Sequence, residues 1–145
     1  MSLQETGQAI DGDVGGKRVV LIHDPVHGPM ELLPCQLELL RTPHFQRLTR
    51  LKQLGVAYLV FPGATHTRAE HRLGVAWLAR LLVQSLRVHQ PDLELSERDE
   101  RLLVLAAQAH DLGHGVASHA FEGWLHRSPF ALHDQSLDEW KHEVE

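Results

Sequence analysis

Residues 102–119 have the sequence LLVLAAQAHDLGHGVASH, and this stretch is the most informative part of the chain. It begins with an almost wholly apolar helical pattern, which is typical of a central helix, and ends in a cluster of histidines around one aspartate. A buried His110-Asp111 pair is costly unless something compensates its charge, and a divalent metal would do so. Gly113 and Gly115 let the backbone approach a ligand closely. The stretch therefore predicts a helix that ends at metal ligands.

A second polar cluster, THTRAEH, occupies residues 65–71, at the start of a predicted helix from Arg68 to about His89. His71 is placed to converge with His110 and Asp111 on one ion. Arg68 lies one helical turn before His71, and a guanidinium offers phosphate a fixed fork of donors. Mixed histidine and carboxylate ligands suit Fe, Mn, Zn, Co or Ni better than an all-oxygen magnesium site.

The rest of the chain predicts a mainly α fold with a small N-terminal β-hairpin. Residues 1–17 are polar and glycine-rich, so we expect a flexible tail followed by one domain over 18–145. A helical pattern follows residue 34, with a break at Thr42-Pro43 and an end at Gly55, and residues 56–61 are expected to be extended. Ser96 to Asp99 forms a capping box for the apolar helix. Another helix is expected from Leu137. On the long helix, a broad buried face is expected at Leu73, Val75, Trp77, Leu78, Leu81, Leu82 and Leu86.

Composition limits the class of protein. The 145 residues carry a net charge of −5 with neutral histidines, which disfavours a nucleic-acid binder. Cys35 is the single cysteine, so no internal disulfide can form and a reducing, cytoplasmic location is expected. The N-terminus lacks the apolar core of a signal peptide, and no apolar run reaches the length of a membrane span.

Each signal is weak alone. A lone His-Asp pair is usually a surface or capping pair, and Glu70 beside His71 could simply complement a helix dipole. The residue pattern by itself leaves open a metal hydrolase and an all-α bundle with incidental histidines.

Five collinear segments resemble the HD-domain deoxynucleoside triphosphate triphosphohydrolases, in the branch that includes the SAM-and-HD-domain enzyme. They are DPVHGPMEL (24–32), TPHFQRLTRLKQLG (42–55), VFPGATHTRAEHRLGVAWLA (60–79), SERD (96–99) and AHDLGHGVASHAFEG (109–123). The similarity runs from about residue 18 to 124 and returns at WKHE (140–143). It implies a helical HD fold, of which this chain holds the N-terminal part of the catalytic domain. It also implies hydrolysis of dNTPs to deoxynucleoside and triphosphate.

Carried over residue by residue, the resemblance implies metal-binding, catalytic and substrate-binding residues. The metal would be held by His71, His110 and Asp111, with one further aspartate from a later helix, and Mg²⁺ is a further expectation at the substrate phosphates. The other implied residues contact or act on the substrate. The catalytic ones are His114, His119, Glu122 and His142, and the substrate-binding ones are Gln53, Leu54 and Arg68.

Two departures from the family pattern qualify these expectations. The chain ends before the family's last metal aspartate. The acidic candidates near its end are Asp134 and Asp138. We therefore expect either an open site with three protein ligands or a chain that is a fragment. Arg41 stands where nucleotide-regulated members have an acidic residue, and Thr49 replaces an arginine. Activation by guanine nucleotides through the same contacts is therefore not expected.

Alternatives remain open at this point. An HD phosphohydrolase could act on another nucleotide or phosphoester. A truncated, non-catalytic HD module could instead bind a partner. The resemblance also implies a homo-oligomer.

Overall fold

Helices form the larger part of the structure. The computed structural model describes residues 10–14, 17–117 and 119–127. In chain order the elements are β1 (Ile10–Val14), β2 (Lys17–Asp24), β3 (Gly28–Leu32), α1 (Pro34–Leu40), α2 (Pro43–Arg47), α3 (Arg68–His89), α4 (Glu97–Ala109) and α5 (His119–Arg127). Short 3₁₀ turns lie at Leu48–Arg50, Ala57–Leu59 and Pro91–Leu93. The predicted mainly helical fold is confirmed, and the helix predicted from Leu137 lies outside the described residues.

The strands form one antiparallel sheet in the order β1-β2-β3. The Asp24 carboxylate accepts hydrogen bonds from the amides of Val26 and His27, at 2.8 and 2.9 Å, and so closes the β2–β3 turn. This confirms the predicted hairpin. Strand β1 falls in the segment predicted to be a flexible tail. The sequence did not predict this strand, because the segment is polar and has low β-propensity.

Both long helices begin at capping boxes. Thr67 Oγ1 accepts from the Glu70 amide at 3.3 Å, and Ser96 Oγ accepts from the Asp99 amide at 3.2 Å. The cap at Thr67 makes α3 begin at Arg68, as predicted. Helices α3 and α4 pack against each other, which brings the start of α3 beside the end of α4.

The buried core lies between β3, the short helices and the start of α3. Partly buried apolar side chains pack against it, and one of them is Leu112 in the loop after α4. This contact anchors the loop that carries the histidine cluster. The buried residues of this cluster are Leu32, Leu40, Phe45, Leu48, Leu51 and Ala69.

Thr42 caps α2, which confirms the predicted break at Thr42-Pro43. The regular helix then ends at Arg47 rather than at Gly55, and a 3₁₀ turn and further turns follow. Residues 56–61, predicted to be extended, form turns instead, with the Phe61 amide donating to the Ala57 carbonyl at 2.8 Å.

The prediction of which side chains are buried on the two long helices was partly wrong. On α3 the side chains of Leu78, Leu81 and Leu82 are exposed, and on α4 those of Leu102 and Leu103 are exposed. Apolar residues spread over a wide arc do not reveal which part of that arc meets a neighbour. Within the described residues, no helix is long and apolar enough to cross a membrane.

Candidate metal centre

Three predicted ligands converge where α3 begins and α4 ends. His71 lies in the first turns of α3, His110 is the residue that ends α4, and Asp111 follows it. Asp111 Oδ2 lies 3.4 Å from His110 Nε2 and 3.9 Å from His71 Nε2. One ligand atom from each residue lies within 4.8 Å of the other two. Two imidazoles and one carboxylate are a donor set suited to a divalent transition metal.

The orientation of His110 also fits a ligand role. Its Nδ1 lies 2.7 Å from the Ala107 carbonyl oxygen, so the ring can donate a proton there and keep the Nε2 lone pair towards Asp111. Metal-binding histidines commonly donate their other ring nitrogen to a carbonyl or carboxylate in this way, which fixes the ring orientation and tautomer.

The surroundings of His71 favour its neutral form. Burial lowers its pKa, and the positive charges of His110, Arg68 and Arg72 act in the same direction, against the attraction of Asp111. Because a histidine must be neutral to bind a metal, this environment favours the form of His71 that can act as a ligand.

Asp111 is surrounded by cationic groups. Its Oδ2 accepts from Arg68 Nη1 at 2.6 Å, and its Oδ1 lies 3.1 Å from His114 Nε2. Burial acts to raise the pKa of Asp111, but the charges of His110, His114, Arg68 and Arg72 together outweigh it and lower that pKa. The carboxylate is therefore ionised at neutral pH and able to bind a cation.

Two further histidines adjoin this centre. The rings of His114 and His119 meet edge to face, with centroids 5.0 Å apart and planes at 87°. His114 lies in the loop and His119 begins α5, so the loop brings a second imidazole close to the one that contacts Asp111.

The remaining predicted site residues lie in different environments. Arg68 is wholly buried and bonded to Asp111 in this structure, so its phosphate contact stays a prediction. Gln53 is half-buried with Oε1 unpaired among the described residues, and Leu54 is exposed. Glu122 lies on α5, but its side chain is outside the description, as are all of His142, Asp134 and Asp138.

Sequence reasoning missed three residues that support the centre. Thr67 caps α3 and so sets the position of His71; the T-x-x-E spacing with Glu70 could have revealed it. Arg72 donates to the Ala109 carbonyl at 3.2 Å, and Arg47 donates to the loop after α4. No local pattern marks these arginines, because their partners lie far away in the sequence.

Comparison with known proteins agrees with this centre. Residues 68–139 match the model of the HD domain family. This match confirms the resemblance to the HD-domain family that the sequence predicted. The chain is also similar to two proteins named deoxynucleoside triphosphate triphosphohydrolase SAMHD1. The one from Danio rerio is 46% identical over 124 residues, or 86% of this chain and 19% of the relative. The one from Homo sapiens is 52% identical over 103 residues, or 71% of this chain and 16% of the relative.

A bacterial relative extends the similarity beyond animals. The protein YwfO of Bacillus subtilis, described as uncharacterized, is 44% identical over 104 residues, or 71% of this chain and 24% of the relative. The chain thus spans a quarter or less of each of these three relatives.

Proposed function

We propose that this chain is the metal-binding part of a hydrolase that converts deoxynucleoside triphosphates to deoxynucleoside and triphosphate. The observation that carries this proposal is the convergence of His71, His110 and Asp111, with the paired histidines His114 and His119 beside them. The names of the animal relatives supply the substrate class.

The reaction needs three contributions. His71, His110 and Asp111 would hold a divalent ion, which would supply Lewis acidity to stabilise charge on the phosphate oxygens. Water adds to the α-phosphorus and the bond from phosphorus to the 5′-oxygen breaks. His119 donates a proton to the departing 5′-oxygen, and the proton that the attacking water releases restores the protonated imidazole. Arg68 is proposed to contact the phosphates, and Gln53 and Leu54 are proposed to contact the sugar.

The remaining members of the proposed site are Glu122 and His142. Iron, manganese, zinc, cobalt and nickel are the proposed metals, with Mg²⁺ at the substrate phosphates. A cytoplasmic location and a homo-oligomer stay predictions from the sequence.

Product analysis tests the reaction. The chain is incubated with dGTP and Mn²⁺ in ¹⁸O-labelled water, and the products are separated by anion-exchange chromatography. We expect deoxyguanosine and triphosphate, with the label in triphosphate, because water attacks phosphorus. Orthophosphate or a nucleoside monophosphate would instead indicate an HD phosphohydrolase of another specificity. Bound metal without any product would favour the non-catalytic module.

A second prediction concerns the proton donor. His119→Gln should lower turnover by about 10²-fold or more, because it removes the acid that protonates the leaving oxygen. Metal content should stay unchanged, since His119 is not among the three ligands. His126→Gln is the matched control at the other end of α5 and should keep full turnover. Equal turnover in the two variants would contradict the role of His119.

A further inference from the structure

Arg47, the last residue of α2, makes two hydrogen bonds to the backbone of the loop after α4. Its Nη2 donates to the Leu112 carbonyl at 2.6 Å, and its Nη1 donates to the His114 carbonyl at 2.7 Å. These carbonyls stand on either side of Gly113. A guanidinium can hold two acceptors at once because its donors form a rigid, planar fork, and each bond is strengthened by its charge.

The two bonds add to the backbone hydrogen bonds of an irregular loop. Within the loop, the Leu112 amide donates to the Ala109 carbonyl at 3.1 Å, and the His114 amide donates to the Asp111 carbonyl at 3.2 Å. Neither of these two backbone bonds uses the carbonyls of Leu112 and His114, to which Arg47 donates. A segment outside helices and strands depends on such partners for a defined conformation.

We propose that Arg47 is a positioning residue for the metal centre. It fixes the loop that carries His110, Asp111 and His114 through hydrogen bonds to the loop backbone. Among the described residues, these bonds do not involve the side chains of His71, His110 or Asp111. Its side chain is exposed, whereas Phe45 supplies the core contact of the same helix. The role of Arg47 is therefore separable from the packing of α2. The effect on metal binding rests on the proposed function, whereas the effect on the loop does not.

Hydrogen exchange on the metal-free chain tests the loop directly. In Arg47→Ala the amides of Leu112 and His114 should exchange about tenfold faster than in the wild type, because the loop loses two charge-assisted bonds. Arg50→Ala removes an exposed arginine three residues away and should leave both amides unchanged. Equal exchange in the wild type and Arg47→Ala, or a wild-type loop without protection, would overturn the proposal.

Metal affinity gives the second readout, measured by Co²⁺ titration against a competing chelator. Arg47→Ala should bind the ion about 10- to 100-fold more weakly, the usual effect of losing a residue that orients ligands. Arg47→Lys keeps the charge but not the fork, so its affinity should lie between those of Arg47→Ala and the wild type. Arg50→Ala should match the wild type, and thermal unfolding of the metal-free variants should stay close to it.

The outcomes separate this inference from the proposed function. If the wild type binds no Co²⁺, the proposed metal function fails together with the effect on affinity, while hydrogen exchange still decides the role of Arg47 in the loop. If the wild type binds the ion and Arg47→Ala binds it equally well, the positioning role alone is overturned. An equal loss of affinity in Arg50→Ala would likewise overturn it, since the effect would then come from net charge.

Discussion

At the scale of single residues, two arginines of α3 occupy contrasting environments. Arg72 is wholly buried, donates to the Ala109 carbonyl, and has Nε and Nη1 unpaired among the described residues. Burial is the main cause that lowers its pKa, to about 10. Arg80, by contrast, donates to the Glu100 carboxylate at 3.2 Å and to the Glu31 carbonyl at 2.8 Å. The charge of Arg72 contributes to the lowered pKa of Asp111, and Arg80 links elements of the fold.

This contrast predicts opposite effects of one substitution. Arg72→Met should leave the free energy of unfolding unchanged or raise it by about 1 kcal/mol, because it removes a buried charge whose hydrogen bonds are incomplete. The same change should raise the pKa of Asp111, since Arg72 is one of the charges that lower it. Arg80→Met should instead lower the free energy of unfolding by about 2 kcal/mol, because it removes charged hydrogen bonds.

Urea unfolding at neutral pH and NMR titration of the Asp111 carboxyl measure both effects. A loss of more than about 2 kcal/mol in Arg72→Met would show that this guanidinium is fully paired and stabilising. An unchanged Asp111 pKa in that variant would contradict the electrostatic role of Arg72.

At the scale of elements, the two capping boxes fix where the long helices begin, and only one of them lies beside the metal centre. The cap at Thr67 precedes α3 by one residue, and His71 lies just beyond the first turn of that helix. The cap at Ser96 lies at the far end of α4 from His110. The sequence alone predicted the Ser96 box, whereas the same kind of signal at Thr67 was overlooked.

The matched caps predict a difference in metal binding. Thr67→Ala and Ser96→Ala should each lower the free energy of unfolding by about 1 kcal/mol, because each leaves a helix amide without its acceptor. Thr67→Ala should also weaken metal binding, since fraying of the first turn displaces His71, whereas Ser96→Ala should not. Chemical unfolding and a Co²⁺ titration of both variants provide the comparison. Equal metal affinities would contradict the link between the α3 cap and the ligand.

At the scale of the whole molecule, local signals and long-range contacts were predictable to different degrees. The starts of the two long helices and the grouping of His71, His110 and Asp111 followed from spacing and resemblance, because capping residues and motif residues act locally. The exposed side of α3 around Leu81 and the Arg47 contact to the loop after α4 did not. These depend on which segments meet in space, and a single sequence carries no direct record of that.

The candidate metal centre contains residues from α3 and from the end of α4. The whole account therefore depends on whether these two segments bind the same ion. Metal content after equilibration with Mn²⁺ and exhaustive dialysis is the most direct test, measured by mass spectrometry on the wild type, His110→Ala and Asp111→Ala. His89→Ala, at the exposed end of α3, is the control. We predict about one retained ion per chain in the wild type and in His89→Ala, and almost none in the two ligand variants. A wild type that retains no more metal than His110→Ala and Asp111→Ala would contradict the account.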